Sequence, residues 1–342
     1  MIVMMRYGRR GASLSALLLL LVAGAMLGIG CGGDDDGDQA ASGEGGQGAP
    51  AEGTEVRAVG NWFAQPELGG YFQAEAEGLG GEDGVRIDAV QGGPQIQTIP
   101  QTAAGEFDYG VAQADELLLA REEGVPIVML FAPLDTNPQC MAWHPDSGIE
   151  GFEDFSGHPV AVAPSGGFWT WMKATFDYTD IKEINFTGSL AEFQRNEELV
   201  QQCFITDDPF VAEQEGIPME AMLIADAGYN PYGNGLFTTE DKIESNPEEV
   251  AAVVAAFKEG WENYLEDPEP ANELILEDNN ELPEARLEFA HAELEDELVG
   301  ETVGCMTEER WTTLADQLKE VEAIGSGFDV SEAWTNEYVP SC

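Results

Sequence analysis

Short apolar runs of β-forming residues alternate with helical patterns from residue 55 to residue 224, and this alternation restricts the chain to an α/β architecture. The β-type runs lie at 55–62, 85–90, 109–112, 126–131, 140–144, 159–163, 183–186, 202–205 and 222–224. Helical patterns fill the gaps at 70–78, 96–104, 114–123, 168–176, 191–200 and 209–215. Strand and helix in alternation predict parallel sheets covered on both faces. After Asn246 the pattern is helical only. Ser245-Asn246-Pro247-Glu248 fits a capping box, and Val250, Val253, Val254, Phe257, Trp261 and Leu265 form one apolar stripe. Further helices are expected near 270–276, 283–298 and 307–323, so the tail reads as an all-helical cap on one of the sheets.

The N-terminus carries a different instruction. Arg6, Arg9 and Arg10 precede an apolar run from Leu17 to Met26, and small residues lead into Gly30-Cys31. That order reads as a lipoprotein export signal over residues 1–30, with a lipid on Cys31 tethering the mature chain outside the cytoplasm. The apolar stretch is short for a membrane span and a polar tract follows it at once. Apart from Cys31 and the lone Pro50, residues 31–53 are Gly, Asp, Ala, Ser, Gln and Glu, with no larger apolar group, which predicts a flexible linker. The rest, about 290 residues, suffices for two domains with their own cores.

Lys and Arg total 14 against 65 Asp and Glu, a formal charge of −51. Nucleic acid and anionic surfaces are poor partners for such a chain. The acids are spread along the whole length without a calcium-loop pattern, which reads as surface adaptation and gives no metal site. Beyond Cys31 stand Cys140, Cys203, Cys305 and Cys342, an even set that suggests two disulfides in an exported protein. Three connectivities are open; one of them joins Cys140 to Cys203 and Cys305 to Cys342. No two cysteines have zinc-ligand spacing.

Ligands of open α/β sheets bind beyond the carboxyl ends of strands, so the loops there hold the candidate site. Asn61-Trp62-Phe63-Ala64-Gln65-Pro66-Glu67-Leu68-Gly69-Gly70-Tyr71 follows the first run, Gln91-Gly92-Gly93-Pro94-Gln95 the second and Gln113-Ala114-Asp115-Glu116 the third. Pro164-Ser165-Gly166-Gly167-Phe168-Trp169 and Asp207-Asp208-Pro209-Phe210 repeat the design further on. Each passes from a strand to small or polar residues and then to a helix start, whose free N–H groups suit a ligand.

At these residues the chain resembles the periplasmic solute-binding proteins of ABC importers in the family that binds thiamine pyrimidine precursors, riboflavin-type members included. The resemblance rests on Asn61-Trp62-Phe63 with Gly69-Gly70-Tyr71, Gly92-Gly93-Pro94, Phe107-Asp108-Tyr109-Gly110-Val111-Ala112, Phe152-Glu153-Asp154-Phe155 and Asp208-Pro209-Phe210-Val211-Ala212-Glu213. Tyr229-Asn230-Pro231-Tyr232 with Leu236-Phe237-Thr238-Thr239 extends it. It implies a type II periplasmic-binding-protein fold, with two lobes, a hinge and a ligand cleft between them. Residues 54–136 and 232–342 would make one lobe and 137–231 the other. It further implies a flat heteroaromatic solute, delivered by a monomer to a permease and its ATPase, with no cofactor. Trp62 and Tyr71 would stack on it, Gln113 and Asp115 would supply polar contacts, and Asp208, where the family often has Glu, would face it from the second lobe. Phe63, Gln65, Gly93, Ser165, Trp169 and Tyr232 complete the candidate ligand set.

Each aromatic candidate could instead be packing, and Asp208 could simply cap the helix at Pro209. The absence of Lys and Arg from the cleft loops argues against a small anion as solute. Two other functions compete. A tethered receptor feeding a membrane sensor would use the same cleft. An enzyme would need Ser165, in a loose nucleophile-elbow setting, to meet one of His144, His158 and His291, or would follow the family's pyrimidine-synthesising branch, whose cysteine-rich motif is absent here.

Overall fold

The computed structural model describes residues 53–93, 95–163, 167–280 and 282–342; the expected export signal, Cys31 and nearly all of the expected linker lie outside them. Among the described residues the strands form a six-stranded and a five-stranded sheet.

The first sheet has the order β11-β4-β10-β3-β1-β2. Its strands are β1 (Thr54–Val59), β2 (Val85–Val90), β3 (Tyr109–Ala112), β4 (Ile127–Leu134), β10 (Gly235–Thr239) and β11 (Val299–Gly304). β1 pairs in parallel with β2 and β3, whereas β10 runs antiparallel to both β3 and β4. β4, Ile-Val-Met-Leu-Phe-Ala-Pro-Leu, is buried at every position, as expected of a central strand covered on both faces. The second sheet, β7-β6-β8-β5-β9, is built from β5 (Gln139–Trp143), β6 (Pro159–Val162), β7 (Lys182–Asn185), β8 (Val200–Phe204) and β9 (Glu220–Leu223). Here too the pairing is mixed: β5 is antiparallel to β8 and β9, and β6 is parallel to β7 and β8. The expected all-parallel sheets are therefore corrected, because the chain crosses between sheets and returns in the opposite sense.

Three other expectations change. The segment at 191–200 is a short 3-10 turn, Phe193–Arg195, leading into β8 rather than a helix. β11 interrupts the helical tail and pairs with β4. Asn246 precedes its helix without a side-chain cap bond, so the capping box does not form.

The helices are α1 (Gly69–Ala76), α2 (Thr98–Ala103), α3 (Ala114–Glu122), α4 (Gly167–Phe176), α5 (Asp208–Glu215), α6 (Glu240–Ser245), α7 (Pro247–Glu266), α8 (Glu269–Asp278), α9 (Glu284–Glu293) and α10 (Glu308–Glu320). The apolar stripe of α7 buries Val250, Val253, Val254, Phe257 and Trp261 against α1. Their close approach depends on Gly69 and Gly70, where a Cβ would overlap the rings of Tyr264 and Trp261. These two glycines, placed in a ligand loop from sequence, are thus helix-packing residues. α10 does not cap one sheet. Its Trp311, Leu314 and Leu318 join a core shared by β4, α3, α4 and residues of the second sheet such as Met141 and Val160. Disulfides join Cys140 to Cys203, directly opposite each other on β5 and β8, and Cys305 to Cys342, which fastens the C-terminal tail behind β11.

Candidate functional site

The chain passes between the sheets twice, through residues 135–138 and 224–234, and a network of buried amides holds these crossings to the loops beyond β1 and β3. Asn234 adopts the left-handed conformation, φ 49°, which an asparagine tolerates better than most side chains. Its Oδ1 accepts from Asn61 Nδ2 at 3.0 Å and from Gln113 Nε2 at 3.1 Å, and its Nδ2 donates to the Glu67 carbonyl at 2.8 Å. Gln113 Oε1 in turn accepts from Asn137 Nδ2 at 3.0 Å, and Asn137 also donates to the Pro231 carbonyl. Burial makes every one of these groups costly to leave unpaired, so the network fixes the geometry of both crossings at once.

Over this network lies a cavity of about 370 Å³, within the range of small-molecule sites. From the first sheet Asn61, Trp62, Gln65, Glu67, Leu68, Gln113 and Glu116 line it; from the second come Gln139, Ala163, Phe168, Phe186, Thr187, Gly188, Gln202, Phe204, Asp207 and Asp208, with Asn234 at the crossing. The two sides already touch. Thr206 donates to Glu67, Arg286 of α9 pairs with Asp207, and the rings of Phe210 and Phe289 lie 5.6 Å apart. A Cβ on Gly188 would stand 3.2 Å from the Trp62 ring, so that indole reaches across to the second side.

The electrostatics are one-sided. Burial, and then the neighbouring Asp207, pushes the Glu67 carboxyl up to about 7. Asp208 rises to about 7 for the same two reasons, and Glu116 to about 7 through burial and the adjacent Asp115. Asp207 is raised by burial, against the pull of Arg286. Among the described residues, those lining the cavity include no Lys, Arg or His.

Of the residues nominated from sequence, the structure brings Trp62, Gln65, Gln113 and Asp208 to the cavity. Asp208 does not cap its helix with its side chain; Oδ2 turns back to the Phe204 N–H at 2.8 Å. The others go elsewhere. Tyr71 packs edge-on against Phe257 and Trp261 in the first core, its hydroxyl spent on the Asn234 carbonyl at 2.5 Å. Asp115 is buried and accepts from the Tyr229 hydroxyl at 2.9 Å. Trp169 stacks on Tyr178 while its neighbour Phe168 faces the cavity. Tyr232 lies under the Arg310 guanidinium, 3.8 Å from its ring centroid, and accepts from the Thr307 N–H. Phe63 is 42% exposed beside Trp62, and Gly93 lies against the Phe63 ring, both off the lining. Ser165 falls outside the described residues. His144, His158 and His291 each bond a backbone carbonyl, of Phe193, Glu198 and Tyr264 respectively.

Sequence reasoning quoted Asn61, Glu67, Glu116 and Asp207 within the right loops but did not nominate them. Phe186, Gly188, Gln139, Gln202 and Asn234 had no local signal beyond their places at strand ends and at the crossing.

A family model described as "NMT1/THI5 like" matches residues 65–271, more than half the chain and most of the cavity lining. The chain belongs to this family. Among its relatives, the riboflavin-binding protein RibY of Chloroflexus aurantiacus is 22% identical over 294 residues, covering 79% of this chain and 82% of that protein. A 4-amino-5-hydroxymethyl-2-methylpyrimidine phosphate synthase of Legionella pneumophila is 20% identical over 293 residues, with coverages of 82% and 90%. The periplasmic aliphatic sulphonate binding protein SsuA of Escherichia coli superposes with a TM-score of 0.64 at 17% identity, over 82% of this chain and 92% of that one. SsuA of Xanthomonas axonopodis pv. citri, solved with bound MOPS, gives 0.63 at 16% identity, with coverages of 83% and 99%. The architecture is that of the two-lobed periplasmic binding proteins. Among the described residues no helix is long and apolar enough to cross a membrane.

Proposed function

We propose that this protein is the extracytoplasmic solute-binding component of an ABC importer, lipid-anchored through Cys31, and that it captures a flat heteroaromatic solute in the cavity between its two sheets. The observation that carries this reading is the lining itself: Trp62, Phe168, Phe186 and Phe204 offer aromatic surface while Asn61, Gln65, Gln139 and Gln202 ring it with amides. The names of RibY and of the pyrimidine phosphate synthase support a planar nitrogen heterocycle. A sulfonate, the ligand class named for the SsuA neighbours, finds no cation on this lining and several carboxylates that would repel it. Binding without catalysis fits the histidines, each engaged with a carbonyl away from the cavity lining. As a monomer the protein would hand its solute to the permease and its ATPase, and the contacts that join the two sides of the cavity would form as the lobes close.

The test is a thermal-shift screen of the full-length protein against thiamine pyrimidines, thiamine, riboflavin, taurine, alkanesulfonates and nitrate. Stabilisation that grows with the concentration of a flat heterocycle is the expected result. Stabilisation by sulfonates alone would overturn the reading.

A further inference from the structure

Buried carboxylates need a proton or a cation. In the cavity Glu67 is 2% exposed, its Oε1 accepts from Thr206, and among the described residues no donor reaches its Oε2. An ionised, half-satisfied carboxylate at such a site is expensive. The charged and titratable groups around it come from three elements: Asp207 and Asp208 at the start of α5, Arg286 on α9, and the Tyr264 hydroxyl on α7. Arg286 is committed to Asp207. Its charge also draws on Glu67 and Asp208, but among the described residues this one guanidinium faces three carboxylates on that wall, and no cation faces Glu116 on another.

Resting on the cavity as the solute site, we propose that the solute is a cation, a planar nitrogen group such as an amidinium or a quaternised heterocycle, and that Glu67 and Asp208 form its counter-ion seat. Glu67 is the specificity-determining residue, because its buried Oε2, unpartnered among the described residues, is the acceptor that a bound cation would take. The groups now near 7 would be driven to ionise by the cation, so binding releases protons and affinity rises as pH is raised from 6 to 8. An uncharged heterocycle behaves otherwise: it accepts from the protonated acids, takes up protons and binds best at low pH.

The experiment is calorimetric titration of the full-length protein at pH 6 and pH 8, in buffers of different ionisation enthalpy, with matched planar probes. Benzamidine is set against benzamide, 1-methylnicotinamide against nicotinamide, and thiamine against riboflavin. The expected result is that at least one cation binds tenfold or more tightly than its uncharged partner, with proton release and an affinity that rises with pH. Glu67→Gln should cut that affinity at least tenfold and flatten its pH dependence; Asp208→Asn should do the same if Glu67→Gln folds poorly. Tighter binding of the uncharged probes, or proton uptake, overturns the cation assignment while leaving the cavity as a solute site. Binding of none of the probes overturns both.

Discussion

Replacing Glu67 with glutamine should stabilise the empty protein, and only at high pH. The folded-state carboxyl sits at about 7 against an ordinary value of 4.5, so the folded protein holds a proton that the unfolded chain gives up. Stability from this group is fully present below about pH 4.5 and is lost as pH rises through 7. That difference corresponds to at most about 3–4 kcal/mol, and water in the cavity lowers the figure. Glu67→Gln removes the linkage while keeping an acceptor for Thr206. Urea unfolding at pH 5 and pH 8 checks it: the variant should match the wild type within about 1 kcal/mol at pH 5 and exceed it by about 1–3 kcal/mol at pH 8. Equal destabilisation at both values would mean that Glu67 is held ionised, and the argument for a strained acidic wall would fail.

Other outcomes follow from the same geometry. Trp62→Ala should weaken solute binding by about 1–3 kcal/mol without unfolding the protein, since its ring is half-buried on the cavity; titration calorimetry reads this directly. Gly70→Ala should cost at least about 1–3 kcal/mol of stability, because a Cβ there overlaps Trp261 and forces α1 and α7 apart; thermal melting would show it, and an unchanged melt would refute the packing role. Reduction should destabilise the protein by about 2–4 kcal/mol per bridge, given sequence separations of 63 and 37 residues, with the denaturation midpoint as the readout.

Among the strands legible from sequence β4 stands out, an apolar run buried at every position, while the more exposed β7 and β9 were readable from their short β-forming runs. β11, Val-Gly-Glu-Thr-Val-Gly, was not, since glycines and an acid mask a strand that forms only because β4 has an edge to fill. The site shows the same division. Trp62, Gln65, Gln113 and Asp208 were readable because loops at the carboxyl ends of strands converge in this architecture. Tyr71, Trp169 and Asp115 sit in equally suggestive loops, but the direction of a side chain at a helix start is decided by its neighbours. Tyr71 is claimed by α7 and Asp115 by Tyr229, both distant in sequence. Phe186 and Gly188 belong to the wall that the second sheet supplies, and Asn234 to a crossing whose partners are more than a hundred residues away.

The central claim, that a flat solute binds between the two sheets, is tested most directly by a crystal structure of the protein with whichever heterocycle stabilises it. The account predicts electron density for a planar ring bounded by Trp62, Phe186 and the Glu67–Asp208 wall, with Asn234 beneath it. Density anywhere else on the molecule, with the cavity holding only water, would contradict it.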